Sequence, residues 1–256
     1  MTRVMRAEWS KLRTVPSTRW TLLALLGGTL MFTALVCATA SSGGCGPETC
    51  DDYVVVNSLT GVFIGQLAVV ALGVLAIGSE YATGMIRATF AAMPRRRLVL
   101  TAKALAVGAL ALAVGVATAL LSYGVGRELL SGHGYARPAF TDGLPQVTVT
   151  ALYLTALALF SLAVAAVLRS TAGAVAFVVA LLLVPLIAAP LLGETTGEQL
   201  LDIAPMSAGL SMLRNIDRVH TVTAGEWRGL GIMWLWAVAA LTLALWLIGR
   251  RDVSSP

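Results

Sequence analysis

Six stretches of the chain run for about 20 residues or more with almost no charge: 20–39, 57–79, 98–125, 147–168, 172–192 and 230–248. A helix of that length crosses the ~30 Å hydrocarbon core of a bilayer and satisfies its own backbone hydrogen bonds there. Five of the stretches hold no Asp, Glu, Lys, Arg or His, and the third holds only Lys103, near one end. Composition agrees, because 12% charged residues is about half of what a soluble domain carries. The expectation is an all-α membrane protein: residues 1–19 ahead of the bundle, a six-helix transmembrane domain over 20–249, and a short tail over 250–256.

The first stretch reads as a retained span. Nineteen mostly polar residues precede it, and no small-x-small cleavage site stands before the next polar loop. Six passes put both termini on one side, and basic residues decide which side is cytoplasmic. With the termini inside, 13 of the 18 Lys and Arg are internal, and only Arg127, Arg137, Arg214, Arg218 and Arg228 are external. The net charge of +5 is therefore a topology signal and no sign of nucleic-acid binding.

Before the first span, a helix would carry Met1, Met5, Trp9 and Leu12 on one face and Arg3, Arg6, Ser10 and Arg13 on the other, with Glu8 an exception inside the apolar stripe. Such a helix lies along the inner membrane surface until Pro16 breaks it, unless the segment is merely a basic flank. In the third span Ala104 and Gly108, then Ala111, Gly115 and Ala119, recur at intervals of four, a spacing that lets helices approach closely in lipid. Arg169 and Ser170 alone join the fourth and fifth spans, so these form a tight antiparallel pair. Pro185 and Pro190 are expected to kink the outer half of the fifth. The long connection 193–228 is external; Thr195 and Glu198 fit a capping box, and Pro205 separates two short helices. Cys45 and Cys50 enclose GPET in the first external loop, as a small disulfide-closed loop or as two free thiols.

Much chemistry is missing. The two lysines, Lys11 and Lys103, do not follow a glycine, so no GxxxxGK[ST] phosphate loop exists; His133 and His220 stand alone, which excludes HExxH zinc chemistry. No carboxylate lies inside a span, although ion-coupled carriers usually keep one there. The polar groups within the spans are mild, and Asn57, Thr60 and Gln66, with Phe63 beside them, are the pathway candidates on the second span. Hydroxyl and amide groups at such sites equally serve as helix glue. The chain reads as a conduit without an engine.

One segment calls for more than topology. GSEYATGMIRATFAAMPRRR, residues 78–97, follows the second span; Glu80 and Arg87 are two helical turns apart, Gly84 interrupts or permits close approach, and Pro94 ends the turn before Arg95, Arg96 and Arg97. As physics alone this is either a stop-transfer loop or a handle. The segment resembles the inner loop of ABC-2 type permeases, the membrane subunits of a class of ATP-binding-cassette exporters. AEWSKLRT with Glu8 and Lys11, IAPMSAGLSML around Pro205, and the closing RRDV extend the resemblance over essentially the whole chain.

The resemblance implies a connecting helix with Glu8, Trp9, Lys11 and Leu12, and a coupling helix at about 81–94 for a separate nucleotide-binding ATPase. Tyr81, Gly84 and Pro94 fall within that element, Glu80 and Arg87 would brace it, and Arg95, Arg96 and Arg97 would pin it at the membrane face. An external gate would form around Pro205, Met206 and Leu210. It further implies that this chain binds no cofactor, ATP and Mg being held by the partner ATPase, and that two permease copies pair, as a homodimer or a heterodimer. The location implied is a bacterial plasma membrane. The function expected is export of a hydrophobic or amphipathic compound such as a drug, peptide or lipid-like molecule. The alternative is a membrane sensor or resistance subunit that binds a peptide or antibiotic externally without moving it.

Overall fold

The computed structural model describes residues 7–11, 14–40, 50–85, 96–135, 137–206 and 224–250. Among them every regular element is helical. After a helical stretch at 7–11 come α1 (Pro16–Ala38), α2 (Cys50–Leu59), α3 (Val62–Ala82), α4 (Arg96–Gly132), α5 (Leu144–Leu168), α6 (Thr171–Ala188), α7 (Glu194–Ile203) and α8 (Ala224–Arg250). Six helical segments among these residues are long and apolar enough to cross a membrane. They match the six uncharged stretches, with different ends.

The differences have physical causes. The second span is not one uninterrupted helix: α2 begins at Cys50, inside the expected loop, and breaks from α3 at Thr60–Gly61. There a Cβ on Gly61 would overlap the Thr29 carbonyl of α1, so the chain needs glycine where it passes its neighbour. The third span is longer than its uncharged run, because α4 continues through Arg127 and Glu128 to Gly132. Its 37 residues make about 55 Å of helix, well beyond the hydrocarbon core. Polar side chains ended the hydropathy signal there without ending the helix.

α5 is the axis of the bundle. Its most apolar 18 residues are 78% buried, against 22% for α1 and α8, and it packs against α3, α4 and α8. A Cβ added to Gly108 or Gly115 of α4 would lie 3.4 Å from Leu159 or 3.5 Å from Ala151 of α5, in van der Waals contact, and Ala111 and Ala119 are buried on the same helix. The small-residue stripe thus performs the close packing its spacing predicts. On the other side of α5, Gly73 of α3 leaves no room for a Cβ against the Ala158 carbonyl.

The α5–α6 turn is as short as expected. Arg169 takes a left-handed conformation (φ 55°), and the Ser170 hydroxyl accepts a hydrogen bond from the Gly173 N–H to cap α6. Pro185 sits within α6, which gives way to a 3-10 turn at Ala189–Leu191. The expected Thr195–Glu198 capping box does not form. α7 starts after Gly193 (φ 81°), with no side-chain cap, and Gly197 is pressed against the Ala189 carbonyl. The second short helix expected after Pro205 falls largely outside the described residues.

Candidate functional site

The end of the bundle where α3 stops and α4 starts holds a cluster of four charges from three segments. Glu8 comes from the helical stretch at 7–11, Lys11 lies one turn further along it, Glu80 is in the last turn of α3, and Lys103 is in the second turn of α4. Lys103 Nζ lies 2.7 Å from Glu8 Oε2, 3.0 Å from Glu80 Oε1 and 3.0 Å from the Ala76 carbonyl oxygen, which uses all three ammonium protons. Lys11 Nζ donates to Glu8 Oε1 at 3.0 Å and to Glu80 Oε1 at 2.9 Å. Glu8, Glu80 and Lys103 are each 4% exposed, while Lys11 reaches the surface. The group is neutral as a whole. Glu80 Oε2 is buried and has no hydrogen-bond partner among the described residues.

Local preference does not explain this arrangement. A carboxylate in the last turn of a helix faces the negative end of the macrodipole, so Glu80 is unfavourable to α3 on its own. Its position makes sense through the two ammonium groups that meet it. Burial alone would raise the Glu8 carboxyl pKa, but the charge and hydrogen bond of Lys103, aided by Lys11, hold it below the ordinary carboxylate value. Burial works against the Lys11 ammonium, and its bonds to Glu80 and Glu8 outweigh that and raise its pKa. Glu8 and Lys11 therefore both stay ionised near neutral pH.

The node accounts for three features of the sequence. Glu8 breaks the apolar stripe because Lys103 and Lys11 meet it there. Lys103, the one charge within an otherwise uncharged stretch, is buried in ion pairs. Glu80 pairs across the fold with Lys11 and Lys103, while Arg87, on the same helical face by spacing, lies outside the described residues. Each residue was visible in the sequence as one charge misplaced on an apolar surface, and that shared anomaly was the available signal.

Other candidates fall elsewhere. Thr83 ends α3, and Gly84 follows with φ 70°, a left-handed conformation that glycine adopts without steric cost. Tyr81 packs partly buried on the core. Trp9 is exposed, Arg96 opens α4, and Arg97 is exposed with its guanidinium beside Gly249 of α8. Leu12, Arg87, Pro94, Arg95, Leu210 and Cys45 lie outside the described residues, so a Cys45–Cys50 bond does too.

Toward the opposite end, Gln66 is buried. Its Oε1 accepts from the Tyr153 hydroxyl at 2.8 Å, and its Nε2 lies 3.5 Å from Met206 Sδ. Pathway and gate candidates thus meet at one point. Pro205 is buried beside Met206, and the Trp236 indole N–H donates to the Ile203 carbonyl to hold the end of α7. Phe63 packs on the core, while Asn57 and Thr60 bond within their own helix, to the carbonyls of Tyr53 and Asn57.

No curated protein matches the chain. The family model described as ABC-2 family transporter protein matches residues 24–253, which takes in Glu80, Lys103 and all but the start of the helical bundle. With its six apolar helices and no soluble domain among the described residues, the chain is a multi-pass membrane protein and belongs to the ABC-2 transporter family.

Proposed function

We propose that this chain is the permease subunit of a bacterial exporter, lies in the plasma membrane with both termini cytoplasmic, and pairs with a second copy. A separate ATPase drives it through the loop between α3 and α4, and the cargo is hydrophobic or amphipathic. The observation that carries this reading is the four-charge node. It ties the segment before α1 to the last turn of α3 and the second turn of α4, the two helices that flank the proposed coupling loop. A pull on that loop reaches both helices and the N-terminal segment together. Buried ion pairs seldom add stability over an apolar core, so their use here is better read as fixing the register of three segments. ATP binding in the partner would then bias a two-state element in which these segments move as a unit.

The test uses the chain purified together with its ATPase. Glu80→Gln and Lys103→Met are expected to abolish the change in ATP turnover that cargo produces, while the two subunits still co-purify. Unaltered turnover in both variants would sink the coupling assignment. Failure of the parent chain to recover any ATPase would sink the subunit assignment.

A further inference from the structure

Between α5, α6 and α8 lies a groove of about 290 Å³ whose walls carry almost no polar surface. Phe160, Leu168, Phe177, Trp236, Ala239 and Leu243 define it. Its place along α8 is informative. Trp236 and Leu243 stand 14 and 7 residues before Arg250, so the groove runs from about 21 Å to about 10 Å above that helix end. Half of a bilayer core is ~15 Å thick, so along α8 the groove reaches from within one leaflet to just past the midplane.

The mouth of the groove is cationic. Arg169 directly follows the wall residue Leu168 and is exposed. Arg250 continues the face of α8 that carries Trp236, Ala240 and Leu243, and its guanidinium lies over the Trp246 ring at 4.4 Å. Arg97 packs on Gly249 and brings a third cation to the same helix end. None of the three has an ion pair among the described residues, although the lysines at this end are both paired. An apolar slot inside the hydrocarbon region, with arginines toward its interfacial end that have no ion pair among the described residues, matches an acyl chain beneath an anionic headgroup. Basic pockets between membrane helices recognise lipid phosphates in this way.

We propose that this groove binds one acyl chain of an anionic phospholipid, whose phosphate lies against Arg169 and Arg250. The leaflet is the inner one on the orientation proposed above. The site stands whether or not an ATPase drives the chain.

The full chain in nanodiscs of equal dioleoylphosphatidylglycerol and dioleoylphosphatidylcholine, released into a native mass spectrometer, tests this. One phosphatidylglycerol should remain per chain, favoured over phosphatidylcholine by roughly tenfold or more, as two interfacial arginines imply. Ala239→Phe, which fills the groove from its exposed side, should remove the retained lipid. Leu243→Trp should do the same and serves if the first variant misfolds. Replacing Arg169 and Arg250 together by Gln should leave lipid in the groove but bring the headgroup preference near one. Equal retention of both lipids by the parent, or lipid kept by both filled variants, overturns the proposal. So does a filled variant that keeps its lipid while a dimer mass falls to a monomer, because a second copy would then cover the groove.

Discussion

The two ends of the bundle are held together in different ways. At the node end, long charged side chains from three segments meet across a gap: Lys11 and Lys103 reach Glu8 and Glu80 through four-carbon stems. Toward the opposite end, neutral groups join backbones already in contact. Thr33 Oγ1 lies 2.7 Å from Ser122 Oγ, and the Ser122 hydroxyl donates to the Ser58 carbonyl at 2.8 Å. Glycine makes that approach feasible, since a Cβ on Gly126 would overlap Ser58. Flexible arms can keep an ion pair while helices shift, whereas hydroxyl bonds between touching backbones cannot. The node end is bridged and the opposite end is clamped, which is the division expected if force enters at one end and closure is kept at the other.

The largest test removes one arm of the bridge. Lys103→Met leaves Glu8 and Glu80 buried with only Lys11 to answer both, and the loss should be about 3–5 kcal/mol. Thermal unfolding in detergent measures it. Changing Glu80→Leu as well should recover most of that loss, because the Glu8–Lys11 pair survives. No recovery would mean that Lys103 acts by packing alone.

At the clamped end the costs should be smaller and steric. Gly126→Ala should cost about 1–3 kcal/mol through overpacking against Ser58. Gly124→Ala, two residues away with nothing within 4 Å, should be neutral or stabilising by up to about 1 kcal/mol. Equal effects at the two glycines would remove the close-contact argument. Tyr153→Phe strands the buried Gln66 Oε1 and should cost about 1–3 kcal/mol. Gln66→Leu combined with Tyr153→Phe should be milder than Tyr153→Phe alone, in the same unfolding assay.

The mildest way to separate the ends is pH. Glu8 has a folded pKa below its ordinary 4.5, so its contribution is present above pH 4.5 and is lost as pH falls through the lower folded value. Lys11 has a folded pKa above its ordinary 10.5, so its contribution is complete below pH 10.5 and is lost as pH rises through the higher folded value. The joint contribution of Glu8 and Lys11 should be level between those limits and fall outside them. In Glu8→Gln the acid limb should shrink, while in Tyr153→Phe it should persist. An unchanged acid limb in Glu8→Gln would place the titration elsewhere.

Much of this was legible in the chain before any coordinates. Uncharged runs as long as the bilayer is thick fix the number of spans, because burying a charge in lipid is costly whatever surrounds it. The same runs mark helix ends poorly, as α4 shows by continuing through Arg127 and Glu128. Hydropathy records solvent preference, and a helix leaving the membrane keeps its hydrogen bonds in water. The short α5–α6 turn and the stripe Gly108, Ala111, Gly115, Ala119 were equally readable, since both are local patterns of chain length and side-chain size.

Pairing across the fold was not readable. The sequence shows Glu8 among apolar residues, Glu80 at the end of a span and Lys103 inside one, yet nothing local joins residues separated by up to 95 positions. Spacing could only place Glu80 and Arg87 on one helical face. Packing supplied the partners: α3 and α4 converge with the segment before α1, and a charge buried there must find its opposite or be lost. The sequence determined that this chain lives in a membrane and how many of its segments are long and apolar enough to cross it. The tertiary structure decided which charges meet, because electrostatic partnership depends on distance in space and on the exclusion of water, and neither is written along the chain.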